Sequence, residues 1–452
     1  MTPSARALTD RRTFLLAAAS ALTVPDALHA FGIRSWTLRP ERPSLDLALA
    51  CARWIDTARV TTPAGAAWPA DPRTPATVSL DFYNGTPGVV YFLTVLAEAT
   101  GDDRWRTAAL AGCRHLLAEV RNPERTIDPG LYTGRAGIAA VVDACGRSLG
   151  DPELRAAADR ILDGIVSESA EGSAMWTDVN DVISGASGTG IALLALRPEH
   201  DRYVDRVAQA GLALLERANP VGDGLMWHFS GSLKRNYPNF SHGTAGVSYF
   251  LATLYGRTRD RRFLEGAEAG ARYLQSVARP TGNGALVHHH DGGGEDLFYL
   301  SWCHGPAGTA RLFHRLHRVT EDTAWLDWIG RLNRGLWATG VPETRTPGFW
   351  NNMSQCCGNC GVADYMLELR EAYATPEAGP YLDRMVSDLD RRATTDTDGR
   401  RWVQAEHRVQ PENVVAQTGY MQGAAGAGML YLRLNAAEQG RPWKWRLPDN
   451  PW

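Results

Sequence analysis

The sequence predicts an all-α fold, an α/α toroid of seven helix-pair repeats in which seven inner helices are surrounded by seven outer helices. Two observations lead to this prediction. A glycine tetrad, Gly-x-x-Gly, recurs seven times at intervals of 49, 51, 58, 62, 53 and 65 residues, and each copy opens an apolar stretch. A second helical segment lies between consecutive tetrads. Self-similarity at periods of this length is typical of repeat architectures.

The tetrads define the inner helices. The apolar stretches that follow them, such as VVYFLTVL and VSYFLATL, have no polar face, which is typical of buried helices. The tetrads are Gly85-Thr-Pro-Gly88, Gly134-Arg-Ala-Gly137, Gly185-Ala-Ser-Gly188, Gly243-Thr-Ala-Gly246, Gly305-Pro-Ala-Gly308, Gly358-Asn-Cys-Gly361 and Gly423-Ala-Ala-Gly426.

The segments between the tetrads define the outer helices. Many start with an acidic residue, as in GDDRW and GDPEL, and continue with apolar residues at helical spacing, which favours amphipathic helices. An open array would need polar capping repeats at both ends. None is evident in the sequence, so we expect a closed ring.

The N-terminal region differs from the rest of the chain. Arg11 and Arg12 precede an apolar run rich in Ala and Leu, a pattern that resembles a twin-arginine export signal. The alternative is an amphipathic helix with a basic cap. We therefore expect export to the periplasm, the cell surface or the medium, with cleavage of the signal undetermined. The predicted boundaries are a signal segment at 1–30, an extension with the first outer helix at 31–79, the toroid at 80–440 and a C-terminal tail at 441–452.

Composition excludes several partner classes. Charged residues make up 21% of the 452 residues and the net charge is −3, so nothing indicates a nucleic-acid partner. No run is long and apolar enough to be an unambiguous membrane span, so we expect none beyond an uncleaved signal. Seven cysteines are too few for a disulfide scaffold of this length. We expect a monomer.

The glycines point to a common cavity. Helix N-termini that converge on the centre of a ring need small residues, and their unpaired N–H groups then face that centre. The residue before each tetrad is expected at the mouth of this cavity, where we look for chemistry. These residues are Asn84, Thr133, Ser184, His242, His304, Cys357 and Gln422.

Two successive tetrads bring cysteines to this mouth. Cys303 lies in SWCHGPAG, and Cys356 and Cys357 lie in QCCGNCG. Neighbouring repeats of a ring adjoin each other, so the three thiols should meet. Three thiolates at helix N-termini suit a borderline-soft cation, and we predict one Zn²⁺ per chain. Cys360 lies one helical turn further on and should point to a different depth.

Other interpretations of these residues remain open. Cys360 or His304 as a fourth ligand would make the site purely structural, and a disulfide within CCGNC is a further possibility. His242 could be a core histidine, and Asp181 could cap its helix. Cys51, Cys113 and Cys145 are expected to be packing residues. The three histidines at 288–290 are expected in a solvated linker, with transient metal binding as the alternative.

From about residue 80 to about residue 435 the chain resembles the lanthionine synthetase C-like family of zinc-dependent cyclases. Trp302-Cys303-His304-Gly305 matches the family's W-C-x-G motif. Cys356-Cys357-Gly358 matches its C-H-G motif with Cys in place of His, as in the CCG subgroup with three cysteine ligands. Ser241-His242-Gly243 resembles the catalytic histidine motif, and Asp181 aligns with the active-site aspartate. The chain departs from the family at Tyr299, where cyclases have an arginine.

The resemblance implies the addition of a cysteine thiol to a dehydroalanine or dehydrobutyrine, forming a thioether in a peptide, or a related conjugation of a small thiol. In this interpretation His242 is the acid that protonates the enolate, and Asp181 orients it. His304, Trp302, Tyr299, Asn84 and Gln422 are the candidate cavity-lining residues. A zinc-containing peptide-binding toroid without turnover is the first alternative. A carbohydrate-active toroid ranks last, because no pair of carboxylates lies at the predicted mouth.

Overall fold

Fourteen helices alternate between an inner and an outer layer in the part of the chain that the structure describes. The structure is a computed structural model that describes residues 43–168, 174–344 and 347–452. These residues belong to one unit, which spans Arg39–Trp452. The predicted export signal at 1–30 lies outside the described residues.

The inner helices begin at the second residue of each tetrad, so that the first glycine caps the helix. Most of their residues are buried; in the first inner helix every residue of 86–97 is buried. The seven inner helices are α2 (Thr86–Thr100), α4 (Arg135–Leu149), α6 (Ala186–Leu196), α8 (Thr244–Thr258), α10 (Pro306–Thr320), α12 (Asn359–Tyr373) and α14 (Ala424–Glu438).

The outer helices bury one face each. Asp102, Asp151 and Asp260 accept hydrogen bonds from backbone N–H groups in the first turns of three of them, as the acidic caps in the sequence predicted. No helix of the described residues is long and apolar enough to cross a membrane. The outer helices are α1 (Ser44–Thr57), α3 (Asp103–Arg121), α5 (Pro152–Ser167), α7 (Asp201–Glu216), α9 (Arg261–Val277), α11 (Ala324–Ala338) and α13 (Ala378–Arg392).

A ring of seven backbone hydrogen bonds closes the toroid. Each bond joins the segment before one tetrad to the segment before the next, with N···O distances of 2.8–3.1 Å. The seventh segment bonds to the first through Met421 N–H and the Tyr83 carbonyl, and α14 packs against α1. The predicted closed toroid is therefore confirmed. We call this the backbone ring; its residues are Tyr83, Tyr132, Val182, Ile183, Ser241, Cys303, Cys356 and Met421.

The tetrad glycines allow this close approach. A Cβ atom at Gly243 would overlap the carbonyl oxygen of Tyr237, and one at Gly308 would overlap the carbonyl oxygen of Trp302. Both contacts are with backbone, which cannot move aside as a flexible side chain can. The glycines are therefore required by packing around the ring.

Short two-stranded ladders lie in the connections between the helices, and the sequence analysis did not predict them. Five are antiparallel, and the pair β7·β8 is parallel. The strands are β1 (Val60–Thr62), β2 (Gly65–Ala67), β3 (Asn219–Val221), β4 (Gly224–Met226), β5 (Arg279–Thr281), β6 (Gly284–Leu286), β7 (Phe298–Tyr299), β8 (Phe349–Trp350), β9 (Thr394–Asp396), β10 (Gly399–Arg401), β11 (Val403–Ala405) and β12 (Val414–Ala416).

Candidate metal centre and active-site pocket

The three predicted cysteines form one buried cluster. The Sγ atom of Cys357 lies 3.3 Å from that of Cys303 and 3.4 Å from that of Cys356. The backbone ring fixes this register, because Cys303 N–H donates to the Cys356 carbonyl at 3.0 Å. All three thiols lie within 4.8 Å of one another, a spacing that can hold a metal ion.

The donor set fits a cation. Burial and the adjacent thiols raise the pKa values of Cys303 and Cys356 well above the usual range. Hydrogen bonds from those two thiols lower the pKa of Cys357. The protein alone therefore stabilises one thiolate here, and a second and third would repel it. A bound cation removes that repulsion, so three ionised ligands become favourable.

The two candidate fourth ligands lie outside the cluster. The group of potential metal ligands among the described residues contains the three cysteines and neither Cys360 nor His304. Cys360 is buried in α12. The Nε2 atom of His304 lies 3.4 Å from the Ser241 hydroxyl. The seven cysteines are all free thiols, so no disulfide forms within CCGNC.

The cluster faces a pocket at the mouth of the toroid, which we call the metal pocket because the three candidate metal ligands line it. The pocket has a volume of about 210 Å³ and adjoins a larger groove of about 620 Å³. The two share Tyr83, Ile183, His242, Glu406 and His407. The side of the cluster that protein does not cover is therefore open to a ligand.

His242 and Asp181 form a bonded pair in this pocket. The Nδ1 atom of His242 lies 2.6 Å from Oδ2 of Asp181, which is fully buried. The other carboxylate oxygen accepts the backbone N–H groups of Ser184 and Gly185 at 2.9 and 2.8 Å. Asp181 is thus both a helix cap and the partner of His242. Because the carboxylate accepts from Nδ1, the Nε2 atom of the half-exposed imidazole is left for the pocket.

A family model for lanthionine synthetase C-like proteins matches residues 76–447. The chain belongs to the lanthionine synthetase C-like family. Nisin cyclase has a similar structure, with 14% sequence identity, a TM-score of 0.59, and coverage of 79% of this chain and 89% of the cyclase. A GH76 alpha-mannanase of Bacteroides thetaiotaomicron gives 13% identity, a TM-score of 0.51, and coverage of 88% and 97%. At these identities the likeness concerns the fold. The comparison with curated proteins gave no match.

In this lanthionine synthetase C-like chain most of the predicted cavity residues lie around the two openings. His304, Tyr299 and Gln422 line the metal pocket, and Asn84 lines the adjoining groove. The Gln422 amide donates to the Tyr83 hydroxyl at 2.8 Å and lies 3.9 Å from the Cys357 sulfur.

Trp302 differs from its predicted position. Its ring lines a separate cavity with Tyr132 and Arg311. Its indole N–H donates a hydrogen bond to the Asp449 carboxylate, near the C-terminus, at 3.0 Å. Trp302 therefore lies outside the pocket that the adjacent Cys303 lines.

The prediction of a solvated linker at 288–290 is wrong. His288 is 3% exposed, and its Nε2 atom lies 2.6 Å from Oδ1 of Asp291. The ring of His289 lies 4.2 Å from the rings of both His304 and Tyr299, centroid to centroid, and lines the metal pocket. Packing against these aromatic rings removes the linker from solvent.

The sequence analysis missed Arg408 and Tyr83. Arg408 lies in the loop between β11 and β12 and lines the metal pocket beside Tyr299. Burial raises the pKa of Tyr299 and the Arg408 guanidinium opposes that rise. The Tyr83 hydroxyl lies beside Cys356 and favours its ionised form. A search one residue further before each tetrad would have found Tyr83, but no local pattern marks Arg408.

Proposed function

We propose that this protein is a zinc-dependent enzyme of the CCG type, which adds a thiol to a dehydroamino acid and forms a thioether in a peptide or a related small-thiol conjugate. One observation carries the proposal: a cluster of three thiols faces the same pocket as an aspartate-bonded histidine. Cys303, Cys356 and Cys357 would hold the zinc. A bound zinc ion supplies the charge that keeps a substrate thiol ionised near neutral pH.

His242 is the proposed proton donor. When the thiolate sulfur bonds to the β-carbon of the dehydroamino acid, the C=C π bond breaks and the electron pair becomes an enolate, which takes a proton at the α-carbon. Burial lowers the pKa of His289 to about 3 and that of His304 well below its usual range, so both are neutral at pH 7. His242 is the half-exposed member of the three, and the Asp181 carboxylate, 2.6 Å from its Nδ1 atom, orients the ring.

Arg408 is the proposed counter-charge for the enolate oxygen. Arg408 is the only Lys or Arg among the described residues that line the metal pocket. The family arginine is replaced by Tyr299, and Arg408 lies beside that tyrosine. A cation carried on a different loop therefore takes the place of the missing one. Fixed positive groups directed at developing negative charge are effective catalysts of this kind of step.

The alternatives make different demands on the same pocket. A carbohydrate-active toroid needs two carboxylates that flank the scissile bond. Asp181 is committed to His242, and Glu406 accepts a hydrogen bond from Gln417 at 2.7 Å, so neither favours that reaction. A peptide-binding toroid without turnover would hold zinc and bind thiols but would not accelerate addition.

The proposal includes export. Arg11 and Arg12 precede an apolar run in a segment outside the described residues, and we propose that they direct the folded chain through the twin-arginine route.

Metal analysis and a rate measurement test the proposal together. Purified wild-type protein should contain one zinc per chain, whereas Cys303→Ala and the double variant Cys356→Ala/Cys357→Ala should not. Cys360→Ala is the matched control, since it removes a buried thiol of the same segment that lies outside the cluster. Full zinc in the double variant would refute the ligand assignment. Zinc without accelerated thiol addition to a dehydroalanine peptide would favour the binding toroid.

A further inference from the structure

Asp449, in the C-terminal segment, has a fully buried carboxylate that bonds to Trp302, the residue next to Cys303. Residues 441–452 were predicted as a tail, yet Asp449 has no exposed surface. Its carboxylate accepts from the Tyr132 hydroxyl at 2.9 Å, from the Trp302 indole N–H at 3.0 Å and from the Arg311 guanidinium at 2.5 Å. Arg311 also donates to the Asp449 carbonyl at 3.0 Å.

The three donors come from opposite parts of the toroid. Tyr132 belongs to the second repeat and is a member of the backbone ring. Trp302 and Arg311 belong to the fifth repeat, and Trp302 immediately precedes Cys303. The rings of Tyr132 and Trp302 are in contact, with centroids 4.9 Å apart. Asp449 therefore joins two repeats at the level of the cysteine cluster.

The charges of this network are well matched. The Arg311 side chain is 12% exposed and forms an ion pair with Asp449. Burial and the Asp449 carboxylate raise the pKa of Tyr132 well above its usual range, so the phenol stays a hydrogen-bond donor. Three side chains donate to the one carboxylate, and a buried network of this kind holds its side chains in one arrangement, although the Arg311 Nε atom has no partner. Removal of its central acceptor would leave the Tyr132 and Trp302 donors unpaired, whereas Arg311 would keep its bond to the Asp449 carbonyl.

We propose that Asp449 is a positioning residue for the metal centre, which holds Trp302 and thereby keeps Cys303 in register with Cys356 and Cys357. The inference rests on the proposed metal binding but not on turnover. Groups that orient a metal ligand through one further contact commonly change metal affinity by about 10-fold to 100-fold when they are removed. A purely structural role would lower stability without a selective effect on the metal.

The test measures zinc affinity and thermal stability of the full chain side by side. Zinc dissociation constants are obtained by competition with a chromophoric chelator, and cobalt-loaded protein reports ligand geometry through its d–d bands. Asp449→Asn should weaken zinc binding about 10-fold to 100-fold and change the cobalt spectrum. Asp143→Asn is the matched control, because Asp143 is 1% exposed, pairs with two arginines and lies away from the pocket. It should alter zinc affinity less than about threefold.

A second pair of variants keeps the inference testable if Asp449→Asn does not fold. Trp302→Phe removes the indole donor next to Cys303 and should weaken zinc binding about 10-fold. Tyr132→Phe removes one donor to the same carboxylate from a repeat that contributes no residue to the cysteine cluster, and should leave zinc affinity within about threefold. Equal zinc affinities across the wild type, Trp302→Phe and Asp449→Asn would overturn the inference, as would an equal loss in Asp143→Asn. A wild-type protein that binds no metal would refute the proposed function, and this inference with it.

Discussion

Replacing His242 by Gln should separate proton delivery from folding and from thiol binding. The half-exposed imidazole lies at the pocket, so glutamine leaves no buried cavity there. Asp181 keeps its two backbone donors, Ser184 and Gly185, when the histidine is lost. The lost hydrogen bond to a charged group is worth about 1.5–3 kcal/mol, and water at the pocket should hold the stability loss near the lower value.

The expected effect on rate is larger than this effect on stability. Loss of a general acid lowers the rate about 10²–10⁴-fold, which corresponds to about 2.7–5.4 kcal/mol of barrier. Intramolecular addition leaves the peptide mass unchanged, so the assay caps the remaining free thiols of a dehydroalanine peptide and follows the capped fraction by mass spectrometry. Binding of a small thiol to the cobalt-loaded variant should match that of the wild type.

His289→Gln is the matched control for this experiment. His289 lines the same pocket, but burial lowers its pKa to about 3, so its ring is neutral at pH 7 and its N–H is too weak an acid to protonate the enolate. Its loss should change the addition rate less than about threefold. If His242→Gln reacts within about threefold of the wild type, or if His289→Gln is equally slow, the assignment of His242 as the proton donor is wrong.

Three further predictions concern other parts of the proposal. Arg408→Gln should slow addition about 10-fold to 100-fold but should not slow alkylation of the bound thiol by iodoacetamide, which forms no enolate. Arg235→Gln is the control, because Arg235 lies over the Tyr237 ring and does not line the metal pocket. Equal slowing of both reactions by Arg408→Gln would contradict the role. Cys360→Ala should retain a full complement of zinc by metal analysis, and loss of the metal would make Cys360 a ligand. Replacing Arg11 and Arg12 together by Lys should leave the protein in the cytoplasm by cell fractionation, whereas unchanged export would refute the twin-arginine signal.

The tetrads made the ring and its cysteine cluster predictable. A repeated glycine leaves a periodic trace in the sequence, because each repeat meets its neighbour through the same backbone contact. Once the ring is inferred, Cys303 must adjoin Cys356, so the proximity of the thiols can be predicted from the sequence alone. The short ladders between the helices leave no comparable trace, since strands of two or three residues are too short for a periodic pattern.

The remaining features depend on contacts between distant segments. Arg408 reaches the pocket from a loop with no pattern of its own, and Asp449 bonds to Tyr132, which lies 317 residues earlier in the chain. His289 was assigned to a linker because three histidines before a glycine-rich stretch suggest solvent exposure. Its aromatic neighbours Tyr299 and His304 lie further along the same connection, and local composition cannot reveal that these rings pack together.

Thiol binding to the cobalt-loaded wild-type protein tests the central claim most directly. If the cluster of Cys303, Cys356 and Cys357 leaves one side of the metal open to the pocket, a small thiol should change the d–d bands. The same titration near pH 7 should release about one proton per thiol bound, because the metal ionises the incoming ligand. Unchanged bands together with no proton release would contradict the claim and would make the metal site structural.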